Sequence, residues 1–210
     1  MSQTAPNARS LRPWTAEGEP EPAWAVATLF PGQGSWSERD YLELPTNRLV
    51  EFSAGFIEVL PGPTRSHQKI VAFLHESLKA FVLARKLGEV YFAALPVHLW
   101  PGKYREPDVI FVRGDNARAL EGDYLEGADL VMEVVSPDDP ERDWVKKREE
   151  YARAGIAEYW VVDPQLGRIT VFRLEAGAYV VHGDFARGGE AESALLPGFR
   201  VPVSEALTGK

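Results

Sequence analysis

The sequence contains no cysteine. That absence removes disulfides, thiolate nucleophiles, zinc ribbons and iron–sulfur clusters together. It also lacks a basic excess: 23 Lys and Arg stand against 31 Asp and Glu, a formal charge of −8. A whole-chain basic footprint for nucleic acid is therefore missing, although clustered carboxylates still leave room for a metal-dependent nuclease. Long apolar runs are missing too. The longest near the N-terminus, Ala23 to Phe30, follows Glu17, Glu19 and Glu21; it is too short to span a bilayer and has the wrong flanks for a signal peptide. A cytoplasmic protein is the expectation. No H-E-x-x-H, glycine-rich phosphate loop or G-x-S-x-G occurs, and His75, His98 and His182 are scattered, which argues against a histidine-based zinc site.

What is present points to one globular domain. The chain has 210 residues, 45% of them apolar, with 6 Trp, 7 Tyr and 10 Phe to fill an interior, a size suited to a single core. Residues 1–36 carry five prolines and few aliphatics, which reads as an extended or partly disordered arm, with the domain proper over 37–207. Ser37 with Asp40 resembles a capping box opening a short helix through Leu44. Residues 48–52 and 56–60 flank Ser53-Ala54-Gly55 as a hairpin. Pro61-Gly62-Pro63 breaks the sheet. Ser66 then caps a long helix to Leu87 with Ile70, Val71, Leu74, Leu78 and Val82 among its apolar stripe, and Gly88 stops it.

Residues 89–100 and 107–113 read as two strands joined by a hairpin turn at Pro101-Gly102. A polar loop over 114–127 follows. The nearly all-apolar run 128–135 suits a central strand covered on both faces. Residues 140–154 read as a helix stopped by Gly155, followed by strands at 158–163 and 168–174, a weaker one near 178–182, and irregular wrapping from Leu195 to Leu207. The fold class is a mixed α/β (α+β) sheet with helices on its faces and added β-hairpins.

Chemistry concentrates in three places. Glu133 sits in the middle of Leu130-Val131-Met132-Glu133-Val134-Val135, where a carboxylate leaving water costs several kcal/mol unless protonated, paired or metal-bound. A solvated face, or a protonated core acid, is its plain alternative. Asp108 opens the strand Val109–Val112. Two acids on paired strands repel each other, and a divalent cation relieves the repulsion; hard oxygen ligands favour Mg²⁺ or Mn²⁺. On the helix after Pro140, Asp143, Lys147 and Tyr151 recur at i, i+4 and i+8. Trp144 and Tyr151 put Lys147 on the sheet-facing side, the plain alternative being a surface ion pair with Asp143. Tyr151, Tyr159 and Trp160 read as core packing, Asp163 as a turn residue, and Glu43 and Glu58 as solvent-facing. Cations for nucleic acid would come from Arg142, Lys146, Lys147, Arg148 and Arg153, extended by Arg65, Lys69, Lys103 and Arg105 where loops converge.

The series Glu106-Pro107-Asp108-Val109, then Glu133-Val134-Val135-Ser136-Pro137, then Asp143, Lys147 and Tyr151, then Tyr159-Trp160-Val161-Val162-Asp163-Pro164 resembles the Uma2 family, also called DUF820. The resemblance spans residues 37–207. It implies a restriction-endonuclease-like, PD-(D/E)XK core and a metal-dependent endonuclease acting on nucleic acid, DNA in the first instance. By position, Asp108 matches the motif's Asp and Glu133 its (D/E), and Lys147 takes the place of a lysine that migrated from Val135 to the following helix. Also implied are metal contacts from the Val134 carbonyl and from Glu51, an accessory role for His67 (its plain alternative being a structural helix cap), Mg²⁺ or Mn²⁺ as cofactor, and a homodimer. The family's Asp-Gly hairpin is Ala54-Gly55 in this chain. The competing functional reading is a non-catalytic dimerising or protein-binding module that keeps the fold.

Overall fold

The structure is a computed structural model and describes residues 30–46, 48–116 and 123–210. Most of the expected N-terminal arm lies outside those residues. The body from Gln33 onward begins earlier than Ser37: the amides of Gly34 and Trp36 both donate to the Gly55 carbonyl, and Trp36 is buried beside Tyr41 and Phe52. Helix α1 (Glu38–Leu42) opens with the full Ser37–Asp40 capping box.

Two sheets follow. Strands β1 (Val50–Ser53) and β2 (Phe56–Val59) form the expected hairpin. With β4 (Val97–Trp100) and β5 (Lys103–Arg105) they make an antiparallel sheet of order β2-β1-β5-β4. The larger sheet has the order β10-β9-β8-β7-β6-β3, built from β3 (Gly88–Phe92), β6 (Val109–Arg113), β7 (Leu130–Val134), β8 (Glu158–Asp163), β9 (Arg168–Glu175) and β10 (Ala178–Ala186). Only β7 and β8 run parallel; a parallel pair needs a crossover, and residues 135–157 supply it with a helix.

Helix α2 (Arg65–Arg85) covers one face of the large sheet. Ile70, Val71, Leu74, Leu78 and Val82 lie against Val109, Phe111, Leu130, Met132, Val134 and Trp160. The crossover covers the other face: Tyr151 and Ile156 meet Val131, Val135, Tyr159, Val161 and Phe172. Strand alternation sorts the side chains, so Leu130, Met132 and Val134 point to α2 while Val131 and Glu133 point to the crossover. All five β7 residues are buried, as the apolar run requires.

Several expectations need correction. The α2 N-cap is Thr64, whose hydroxyl accepts from the His67 amide, and not Ser66. The helix ends on left-handed Lys86 rather than at Gly88, which opens β3. Residues 89–100 are two strands in different sheets: the chain leaves the large sheet after Phe92, forms the β4–β5 hairpin around Pro101-Gly102, and returns as β6 beside β3. Periodicity along one segment carries no information about which partner each half finds, so the switch was invisible locally. The crossover helix begins as a π-helical segment, Arg142–Lys147, before the α-helical α3 (Arg148–Arg153). Strand β10 is nine residues long, and the tail holds β12 (Arg200–Pro202), paired with β11 (Glu190–Glu192), and α4 (Val203–Ala206).

The β1–β2 turn generates a prediction. Ala54 and Gly55 both have positive φ, 48° and 87°, the requirement of a type I′ hairpin, which favours Asn-Gly. An L-residue with a Cβ pays about 1–2 kcal/mol in that region. Ala54→Asn is expected to stabilise the fold by about 0.5–1 kcal/mol, read as a rise in urea midpoint; a lower midpoint contradicts the turn assignment.

Candidate active site

The β6–β7 register sets Val109 opposite Met132, so one step outward Asp108 stands opposite Glu133. Both acids are buried. The Val134 amide donates to Asp108 Oδ2 at 2.8 Å, and His67 Nε2, from the first turn of α2, lies 3.2 Å from the same oxygen. Glu133 is 3% exposed; its Oε1 accepts from the Tyr151 hydroxyl at 2.5 Å and its Oε2 sits 2.9 Å from Lys147 Nζ. Lys147 also reaches Asp143 Oδ1 at 3.1 Å and is 5% exposed. The Asp143–Lys147 pair is therefore an interior one rather than a surface one, and Lys147 faces inward as its stripe requires. Exposed Lys146 points away.

Electrostatics follow from burial. Desolvation pushes the Glu133 carboxyl above its ordinary range, to about 8, with Asp108 and Asp143 adding repulsion against the opposing pull of Lys147 and the Tyr151 hydrogen bond. Asp143 is raised for the same first reason. Desolvation opposes the charge on Lys147, but Glu133, Asp143, Glu51 and Asp108 together outweigh it and raise its pKa. The physical state is thus a protonated lysine among more acids than it can neutralise. His67 is likewise raised: burial lowers it, and Asp108, Glu133 and the Val134 backbone more than compensate.

The hydrogen bonds of Glu51 go elsewhere, although its charge acts on Lys147. It is held by Arg105 of β5 and Arg142 of the π-helical segment, and burial, which would raise its pKa, is overcome by Lys147, Arg105 and Arg142, leaving it at about 2. Glu150 of α3 binds Arg105 at 2.7 Å and Lys103 at 2.7 Å. This network explains the face selection of the small sheet. Val50, Phe52 and Tyr104 alternate into an aromatic cluster, and Glu51, Lys103 and Arg105 alternate onto the crossover. Lys103 and Arg105 are 3% and 1% exposed, so they do not extend a surface patch for nucleic acid. Glu58 does face solvent, and it also binds Arg142 at 2.5 Å. Asp163 does cap its turn, accepting from the Gln165 and Leu166 amides, and also holds Trp144.

Three site contributions were missed in the sequence. Tyr151 supplies a hydroxyl to Glu133 as well as packing; Arg142 ties β1 and β2 to the crossover; Arg105–Glu150 fixes α3. Tyr151 was on the legible stripe with Lys147, and its hydroxyl, which needs a partner when buried, was the available signal.

A cavity of about 340 Å³ opens over the acids, lined also by His67, Arg142, Asp143 and Lys147. The donor set suits a divalent ion. Asp108, Glu133 and the Val134 carbonyl are all hard oxygens, and Mg²⁺ characteristically uses one or two carboxylates and keeps its remaining positions for water and phosphate. No group of three or more His, Cys, Asp or Glu that could hold a metal ion occurs among the described residues.

A mixed sheet with a helix layer on each face and an acid pair on adjacent central strands is a restriction-endonuclease-like fold. The Uma2 family model, described as "Putative restriction endonuclease", matches residues 38–204, and the chain belongs to that family. Among solved structures, a protein from Anabaena variabilis ATCC 29413, titled a "putative nuclease belonging to DUF820", is similar with a TM-score of 0.69 and 16% identity, over 83% of this chain and 98% of that one; it bears out the fold. No curated protein matches the chain. No helix among the described residues is long and apolar enough to cross a membrane.

The Glu51 clamp has a pH signature. Its folded-state pKa is depressed from 4.5 to about 2, so the stability it contributes is complete above pH 4.5 and is lost as the pH falls through about 2. Glu51→Gln is expected to destabilise by about 3–5 kcal/mol at neutral pH, the size of a broken buried pair, with the gap from wild type narrowing between pH 4.5 and 2. Thermal melts across that range check it; a gap independent of pH contradicts an ionised clamp.

Proposed function

We propose that this chain is a divalent-metal-dependent nuclease that hydrolyses phosphodiester bonds of nucleic acid. The observation that carries the reading is the buried Asp108–Glu133 pair on adjacent strands with the Lys147 ammonium on Glu133. Family membership supports it. Asp108, Glu133 and the Val134 carbonyl would hold Mg²⁺ or Mn²⁺, which when bound supplies an acidified water and polarises a phosphate oxygen.

The chain's own groups have separable tasks. Tyr151 donates to Glu133 and fixes the carboxylate's rotamer, the kind of outer contact that orients a ligand. Asp143 holds Lys147 at the acid pair. Lys147 keeps its proton and so offers fixed positive charge where negative charge grows on the phosphate, in a site that needs no reorganisation at the moment of reaction. His67 anchors Asp108 from the opposite side. Glu51 is an arginine anchor in this reading rather than an ion ligand.

Glu133→Gln is expected to reduce Mn²⁺-dependent cleavage of an oligonucleotide at least ~100-fold, a floor taken from the loss of ligand-orienting partners, while the circular-dichroism spectrum at the assay temperature stays that of the folded wild type. Retained cleavage overturns the assignment. Tyr151→Phe keeps the ring and deletes only the donor, so it should weaken Mn²⁺ binding by about 10–100-fold, measured by titration calorimetry; unchanged affinity means Tyr151 only packs.

A further inference from the structure

The cavity supplies little to hold a polyanion. The lysine and arginine in its lining, Lys147 and Arg142, are paired with carboxylates, and exposed Asp138 and Asp139 belong to the same lining. A bound metal would take up one reacting phosphate. The rest of a strand still needs cations, because phosphate neutralisation dominates nucleic-acid affinity, and they have to come from a surface beside the cavity.

The crossover does not provide that surface. Lys147 is buried and Arg148 is half-buried over the Phe172 ring. Over 141–153 the exposed charges are Glu141, Lys146, Glu149 and Arg153, which cancel. Helix α2 does provide it. On the side away from its buried stripe, Arg65, Lys69, Ala72, Glu76, Lys79 and Leu83 recur at three- and four-residue spacing and are all exposed, one row along the helix. Exposed Lys86 ends the helix. Arg85 lies off the row, over Phe81.

These cations are uncommitted. Among the described residues, Arg65, Lys69, Lys79 and Lys86 have no ion-pair partner. Exposed arginines elsewhere are paired, as Arg39 is with Glu43, Arg113 with Asp115 and Arg173 with Glu175. With Glu76 as the one acid in the row, α2 turns a basic face outward on a chain of net charge −8. The row is also well placed. Thr64, Ser66 and His67 line the cavity, so Arg65 opens the row at the cavity's edge, and Lys79 lies ~21 Å further along the axis at ~1.5 Å per residue. Phosphates recur every ~3.4 Å of axis along a strand, so a strand that leaves the cavity along α2 carries several of them past these side chains.

Resting on the nuclease reading above, we propose that the outer face of α2 is the nucleic-acid docking surface, where Arg65, Lys69 and Lys79 bind the phosphate backbone of the substrate and lead it to the Asp108–Glu133 site. Contacts of this kind position a substrate and carry no sequence information. Glu76, in the middle of the row, opposes them.

Fluorescence anisotropy with a labelled duplex oligonucleotide tests this, using the full chain in Ca²⁺ over ~50–200 mM salt. Replacing Arg65, Lys69 and Lys79 together by Gln is expected to weaken binding at least ~10-fold and to flatten the plot of log K against log salt by about 2–3, at ~0.9 per lost phosphate contact. Glu76→Lys is expected to act in reverse, tightening binding and steepening the slope by about 0.9. All four side chains are exposed, so these variants keep the fold. An unchanged slope in the triple variant, no gain in Glu76→Lys, or no binding by the wild type at ~50 mM salt overturns the proposal. The two readings fail separately. Metal-dependent cleavage with full affinity in the triple variant refutes the docking surface alone, whereas binding that depends on the row with no metal-dependent cleavage upholds the surface and refutes the nuclease.

Discussion

A protonated lysine enclosed among carboxylates governs this molecule. Lys147 is 5% exposed and touches Glu133 and Asp143 at once, with Asp108 on the neighbouring strand. Taking an ammonium out of water costs several kcal/mol, and the cost is recovered only where acids meet it in good geometry. Here the acids outnumber it. Burial raises Glu133 and Asp143, and the neighbouring acids add to the rise. In the metal-dependent reading proposed above, a divalent ion bound by the acids would relieve that imbalance.

That arrangement is maintained from behind. The small sheet turns its polar face, Glu51, Lys103 and Arg105, onto the crossover, where Arg142 and Glu150 answer them. Each contact is charged, buried and angularly demanding, so removing one partner strands the other. The π-helical segment Arg142–Lys147 widens the turn that carries Arg142, Asp143 and Lys147, and such segments recur at functional sites because they re-aim side chains within a helix. Held by Glu51 and Glu58 at its start and by Arg105 and Lys103 on Glu150, this stretch presents Lys147 to Glu133 without freedom to drift.

How much of this could be read from the sequence divides along physical lines. Local determinants were legible. The Ser37–Asp40 cap, the α2 stripe and the unbroken apolar β7 each declare themselves within a few residues, and Glu133 stood out because a carboxylate inside such a run has nowhere wet to go. The inward side of Lys147 followed from its spacing with Trp144 and Tyr151. Long-range choices were not legible. The split of residues 89–100 between two sheets depends on partners at 103–113, and the burial of Lys103 and Arg105 depends on Glu51 and Glu150 being brought to them. Alternating with Tyr104, those cations look like an ordinary exposed strand face. Glu51 stood out as an acid of interest, but its engagement by two arginines required the assembled sheet.

The most direct test of the central claim is a crystal structure soaked in Mn²⁺, with anomalous scattering collected to locate the ion. The account predicts one strong peak bonded to Asp108, Glu133 and the Val134 carbonyl, with Lys147 still on Asp143 and Glu51 still on its arginines. A peak at Glu51 with none between Asp108 and Glu133, or no peak in the cavity at saturating Mn²⁺, would contradict it.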